Sequence, residues 1–322
     1  MPNLLLVPLD GSAEAAAAIP HAVEIARRMS AGIALVRVHQ PMAMMAGPPE
    51  LGPILPDPDV EALVCNDAEA WLLQRADDVR RTSGLLVVTE FRVGSLSESI
   101  VDVATELAVL AIVCCTKHAS GWAPNWIGSV TDAVVRHAPC PVIAMSPVAA
   151  ARTPGVQRLL VLTDGSDVAE EVFPYAMWLA RTFDAEMELL HVVAPEWSGD
   201  GIALAVEPTH NHFGVSPAAE HAKAALDALC TQLHASGLKA KSAVAVDATP
   251  SRAILSHIHA SDPDVVAIST HGRGLSRLLL GSVADKVLRE GGRATLIVPP
   301  GVRAPEPKRL SETRDAADLL DP

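Results

Sequence analysis

The sequence predicts an α/β protein, two tandem copies of a five-stranded parallel-sheet α/β/α sandwich, and three observations carry that expectation. The chain of 322 residues is too long for one core, because domains usually hold about 100 to 200 residues. The opening LLVPLDGS from Leu5 returns as LLVLTDGS from Leu159, with six of the eight positions identical. Between and after these openings, short apolar runs alternate with amphipathic stretches of helical period.

In the first copy strands are expected near Leu4–Leu9, Ile33–Val38, Leu85–Phe91, Leu110–Cys115 and Val142–Met145. Helices are expected near Ala13–Met29, Val60–Ser83, Ser97–Glu106 and Ser129–His137. Parallel neighbours need crossover connections, so this alternation makes a parallel sheet with helices on both faces. The second copy follows in register. IPHAVEIARRMSAGIALVRVHQP from Ile19 lies over FPYAMWLARTFDAEMELLHVVAP from Phe173, and GSVTDAVVRHAPCPVIAM from Gly128 over GSVADKVLREGGRATLIV from Gly281. The expected domains are residues 1–148 and 157–301, joined by a linker at 149–156. The run PVAAARTPGVQ around that linker is expected not to be helical, because of its prolines and small residues. The polar tail, 302–322, is expected to stay unfolded, with a short docking helix at Ala316–Leu320 as the alternative.

A formal net charge of −13 argues against nucleic acid or an anionic membrane as partner, since both draw on clustered Lys and Arg. No apolar run reaches the roughly 18 to 20 residues that cross a bilayer, and the chain enters a strand pattern directly at MPNLLLVPLDGS. A cytoplasmic protein is expected. Five cysteines without CxxC spacing predict neither a disulfide framework nor a zinc site, and Cys114, Cys115 and Cys140 are expected as buried small apolar groups.

The chemistry concentrates at the carboxyl ends of the strands, where open parallel sheets bind their ligands. In the second copy, Ser269, Thr270, His271, Gly272 and Gly274 form a turn of mostly small residues after the fourth strand, and Gly281-Ser282 opens the last helix. Backbone N–H groups at such a turn and helix start favour phosphate. Simple capping of the helix by Gly281 and Ser282 is the competing explanation. Asp164, after the first strand, adds a carboxylate able to accept from a ribose hydroxyl or an adenine amino group.

On these residues both copies resemble the universal stress proteins, over nearly the whole chain up to Pro300. The resemblance implies a Rossmann-like, adenine nucleotide alpha hydrolase-like fold. Members that bind ATP carry Gly, two residues, Gly, nine residues, then Gly followed by Ser or Thr. By that resemblance Asp164 and Val192 hold the nucleoside, and Gly272, Gly281, Ser282 and Val283 the phosphates, beside Ser269 and His271. Ser269 replaces the pattern's first glycine, and only eight residues separate Gly272 from Gly281. The first copy keeps Pro8, Asp10, Val38, Gly128, Ser129 and Val130 with the nine-residue spacing, but reads Cys115, Thr116, Lys117 and His118 where the two glycines belong. Binding is therefore expected mainly in the second copy. ATP, ADP or AMP is the implied ligand, with magnesium accompanying the nucleotide.

Other candidates carry less. His210, His212 and His221 are expected as solvent-exposed histidines, His257 and His259 on different sides of their element, and Gln40–Pro58 as a surface loop. No GxxxxGK[ST] and no Ser-His-Asp set accompanies the turn. Three readings remain open: a stress-response nucleotide-binding module, a slow ATP hydrolase or nucleotidyl-transfer enzyme using Asp164 and His271, and a nucleotide-free dimerisation scaffold. Family resemblance also implies edge-to-edge pairing through the last strands, Val142–Met145 and Leu296–Val298, as an intramolecular pseudo-dimer or between chains as a homo-dimer.

Overall fold

The computed structural model describes residues 3–41, 57–116, 128–166, 169, 171–195, 216–269, 281–299 and 302. The first half runs β1 (Leu4–Leu9), α1 (Ala13–Ala16), α2 (Ile19–Arg28), β2 (Gly32–His39), α3 (Pro58–Ser83), β3 (Val87–Val93), α4 (Leu96–Glu106), β4 (Ala111–Cys115), α5 (Ser129–His137) and β5 (Val142–Met145). After α6 (Pro147–Ala150) the second half runs β6 (Arg158–Leu162), α7 (Phe173–Phe183), β7 (Glu186–Val193), α8 (Pro217–Ala235), β8 (Lys239–Val246), α9 (Pro250–Ser261), β9 (Val265–Ser269), α10 (Ser282–Glu290) and β10 (Ala294–Val298).

The two expected five-stranded sheets are halves of one ten-stranded sheet, ordered β3-β2-β1-β4-β5-β10-β9-β6-β7-β8. Pairing is parallel within each half. At the seam β5 and β10 pair antiparallel, with Val142, Ile143 and Ala144 opposite Ile297, Leu296 and Thr295. A reversal at the seam turns the carboxyl edges of the two halves toward opposite ends of the sheet. Strand alternation sorts the side chains into two layers. Leu5, Val7, Leu35, Ile143, Val161 and Leu296 lie in one core with Leu72, Val79 and Leu179 of α3 and α7. Leu6, Val36, Ile112, Val142, Leu160 and Ile297 lie in the other with Val103, Val134, Ile258 and Val287 of α4, α5, α9 and α10. Each layer runs unbroken across both halves.

Three local expectations are corrected. The helix expected over Ala13–Met29 is two helices: Pro20 has no N–H for the carbonyl of Ala16, and its ring crowds that carbonyl, so α1 ends and α2 restarts with the proline in its first turn. Strand β3 begins at Val87 rather than Leu85, because Gly84 closes α3 in the left-handed region (φ +71°) and the next two residues make the connection. The linker holds the helical turn α6, since Pro147 stands at its first position, where a missing N–H costs nothing, and the Ser146 hydroxyl accepts from Ala149 N at 3.2 Å.

After α6 the chain is clamped to the second half by charge. Arg152 makes a two-pronged contact with Asp262, both hydrogen bonds 3.2 Å, and Arg158 and Arg293 reach the same carboxylate at 3.1 and 2.5 Å. Hydrogen bonding from Arg152 holds the Asp262 carboxyl below its ordinary range. Asp262, Arg152 and Arg158 stay part-exposed, so the apolar seam outweighs them. Leu296→Ala, at a fully buried seam position, is expected to cost about 2–5 kcal/mol, and Arg152→Ala less than about 1 kcal/mol; urea denaturation of the two variants checks the ranking.

Candidate functional site

Both halves build the same turn after their first strand. The Asp10 carboxylate accepts from the backbone and hydroxyl of Ser12 at 2.9 and 2.5 Å, and the Ser12 hydroxyl in turn accepts from Ala15 N at 3.1 Å, capping α1. Asp164 repeats this with Ser166, at 3.0 and 2.6 Å, and Ala169 N donates to the Ser166 hydroxyl at 3.2 Å. One carboxylate oxygen thus shapes the turn and holds the aspartate at the carboxyl edge. Gly11 and Gly165 follow with φ +92° and +71°, a region that favours glycine.

Val38 and Val192 end up half-buried against the layer that holds Val130 and Val283. Gly128 and Gly281 are the N-cap residues of α5 and α10, with nearly identical backbones (φ −58°, ψ 143° and φ −58°, ψ 145°) and no side-chain cap hydrogen bond. The capping explanation thus holds for the glycine and is corrected for the serine, since Ser129 and Ser282 are the first helical residues rather than the caps. The leading N–H groups of these helices, at the positive end of the macrodipole, suit an anion. Among the described residues a side chain built on Gly128 meets nothing within 4 Å, so neither the backbone angle nor any of these neighbours requires glycine there. What it leaves is room.

In the first half these features converge on a cavity of about 320 Å³, lined by Pro8, Asp10, Val36, Val38, Leu96, Ile100, Cys114, Cys115 and residues 128–131. That volume and its apolar wall with a few polar groups are those of a small-molecule site. Leu96 and Ile100 were passed over in the sequence; the signal was the apolar face of α4, which buries Ile100, Val103 and Ala104. In the second half Ser269 is buried at the end of β9, while His271 and Gly272 lie outside the described residues, as do Lys117, His118, His210, His212 and residues 303–322 of the tail. His221 and His259 are exposed on α8 and α9. His257 stands 3.1 Å from Glu188.

The cavity's thiols are not poised as nucleophiles. Burial pushes Cys114 up to about 12 and Cys115 up to about 11, against the lowered values of reactive cysteines. Cys140 is likewise buried and pushed up to about 12. Among the described residues no group of three or more His, Cys, Asp and Glu is placed to hold a metal, and no helix is long and apolar enough to cross a membrane.

Comparison with known proteins gives two matches within this one chain. The model of the Universal stress protein family matches residues 1–145 and again 155–299. Universal stress protein MJ0531 of Methanocaldococcus jannaschii is 27% identical over 143 residues, 44% of this chain and 81% of that protein. A crystal structure of a universal stress protein from Archaeoglobus fulgidus superposes over 92% of this chain and 95% of its own, with a TM-score of 0.65 and 18% identity, a likeness of fold. A universal stress protein solved in complex with cAMP covers 45% of this chain and 97% of its own, at 21% identity and a TM-score of 0.33.

The buried thiols set a pH dependence. Their folded values lie above the ordinary 9.0, so the folded state holds these protons more tightly than the unfolded one. This contribution is complete below pH 9 and is lost as pH rises toward 11–12. The urea midpoint is expected to fall from about pH 9 upward, and the triple change of Cys114, Cys115 and Cys140 to alanine to make that fall shallower.

Proposed function

The chain belongs to the universal stress protein family, and from that premise we propose that it is an adenine-nucleotide-binding module acting in the stress response of the cytoplasm. The observation that supports this reading is the first-half cavity, where Asp10, Val38 and the start of α5 at Gly128 border one space of about 320 Å³. A base suits the apolar wall of Val36, Val38, Leu96 and Ile100, ribose or the adenine amino group donates to Asp10, and the phosphates meet the N–H groups of Gly128, Ser129 and Val130. A magnesium ion would ride on the phosphates, as it commonly does, rather than in a cage of protein ligands.

The second half repeats the aspartate turn and the glycine-capped helix, and its sequence carries the fuller phosphate turn at Gly272 and Gly281. We assign it the stronger hold on the phosphates, and the first half a site that depends more on the nucleoside. The halves act as a built-in dimer across the β5–β10 seam, and ligation of either half is read out on its own end of the sheet.

Calorimetry with ATP, ADP, AMP and adenosine, combined with release of bound nucleotide by denaturation, tests the assignment. Gly281→Asp is expected to remove the binding that strengthens with phosphate number, and Gly128→Asp the binding that adenosine shares. An aspartate at either helix start sets like charge against phosphate and should weaken its site at least tenfold, about 1.4 kcal/mol. No bound nucleotide, together with no response to millimolar ATP, would leave the scaffold as the better reading.

A further inference from the structure

A second cluster sits at the same edge of the first half but on the other face of the sheet. Arg37 lies on β2 between Val36 and Val38, whose side chains border the cavity, so strand alternation turns it toward α3. Its guanidinium donates to the carbonyl of Ala68 at 3.4 Å, and its Cζ stands 4.8 Å from the centre of the Trp71 ring. One turn further along α3, Arg75 brings its own Cζ to 5.4 Å from that ring. Its Nε is buried and has no hydrogen-bond partner.

Among the described residues neither guanidinium meets a carboxylate, whereas Arg80 and Arg81 on the same helix pair with Asp77 and Asp78 at 2.6 and 2.7 Å. Two half-buried, uncompensated cations are unusual in a chain of net charge −13. Arg37 also lies against the Asp10–Gly11 turn: a side chain built on Gly11 would stand 3.2 Å from Nη2. The cluster therefore borders the carboxyl edge where ligands of such sheets sit.

Architecture does not demand it. In the second half His191 takes the place of Arg37, its ring 3.8 Å from a side chain built on Gly165. The buried positions of α3, Ala68, Leu72, Ala76 and Val79, correspond to Ala222, Leu226, Cys230 and Leu233 of α8. In that register Ala225 and Leu229 stand where Trp71 and Arg75 do. The same core is built there without the cationic pair.

We propose that Arg37 and Arg75, held on Trp71 beside the Gly11 turn, form a site for a small phosphate-class oxyanion, separated from the nucleotide cavity by the thickness of the sheet. Guanidinium forks match phosphate oxygens, and partial burial strengthens each charge-assisted hydrogen bond. An indole against both cations keeps their planes in place without neutralising them. Two cations around one ring suit an anion that carries at least two charges, so pyrophosphate is the preferred probe over phosphate. This assignment stands apart from nucleotide binding.

The test is calorimetry of the nucleotide-free full chain with pyrophosphate and inorganic phosphate at constant ionic strength. In a Gly128→Asp, Gly281→Asp background, where both helix starts repel phosphate, saturable binding of one anion is expected, with pyrophosphate the tighter. Within that background Arg37→Gln and Arg75→Gln should each weaken it about tenfold or more. Arg75→Lys, which keeps the charge and the helix but loses the fork, should fall between wild type and Arg75→Gln, and it supplies the readout if the glutamine variant does not fold. Absence of saturable binding at about 10 mM anion, weaker than any affinity of use, overturns the proposal. So does binding in that background that survives both arginine changes.

Discussion

Every other feature of this molecule depends on the pairing of β5 with β10. A parallel sheet of five strands ends in an edge with open N–H and C=O groups and two apolar faces, and such an edge must be covered or paired. Here the last strand of each half closes the other's edge through Val142, Ile143 and Ala144 against Ile297, Leu296 and Thr295. Two apolar layers then run across the whole sheet, and Ile143 shares its layer with Leu296 and Leu179. Because the seam is antiparallel, the two carboxyl edges open at opposite ends.

Within the first half, one strand end serves both faces. Val36 and Val38 point to the cavity, and Arg37 between them points to Trp71. Period-two alternation makes this unavoidable once β2 is parallel and buried on both sides. The Asp10–Gly11–Ser12 turn caps the sheet between the two regions, with Asp10 lining the cavity and Gly11 touching Arg37. Such an arrangement puts two chemically different surfaces, one apolar and one cationic, within the reach of a single backbone turn.

Most of the architecture was legible because buried parallel strands and their helices leave strong periodic signals. Strand β1 at Leu4–Leu9, β5 at Val142–Met145 and helix α5 at Ser129–His137 fall where the apolar pattern puts them. The break between α1 and α2 was readable from Pro20 but was masked by the alanine run around it. The seam was only half legible: the last strand is apolar in either arrangement, and nothing in its composition tells pairing within a chain from pairing between chains. At the site, Asp10, Val38 and Gly128 carried signals in the internal repeat. Leu96 and Ile100 did not, because residues that wall a cavity look like residues that fill a core. Arg37, Trp71 and Arg75 come together only when β2 lies beneath α3, and their separation along the chain hides that.

The repeated turn also shows why aspartate and glycine bear on function differently. Asp10 and Asp164 each hold the hydroxyl and backbone of the serine two residues on, and that serine caps the following turn. Removing either carboxylate disturbs a local structure that exists without any ligand, so loss of binding there would not separate recognition from folding. Gly128 is the reverse case. Its φ of −58° suits any residue, and a side chain built on it meets nothing within 4 Å. Among the described residues neither backbone nor packing requires glycine, and its small size leaves open the space in front of α5. A helix start without a side-chain cap, facing an apolar cavity across from a carboxylate fixed by its own turn, is suited to an anionic group attached to an apolar one, the physical description of a nucleotide.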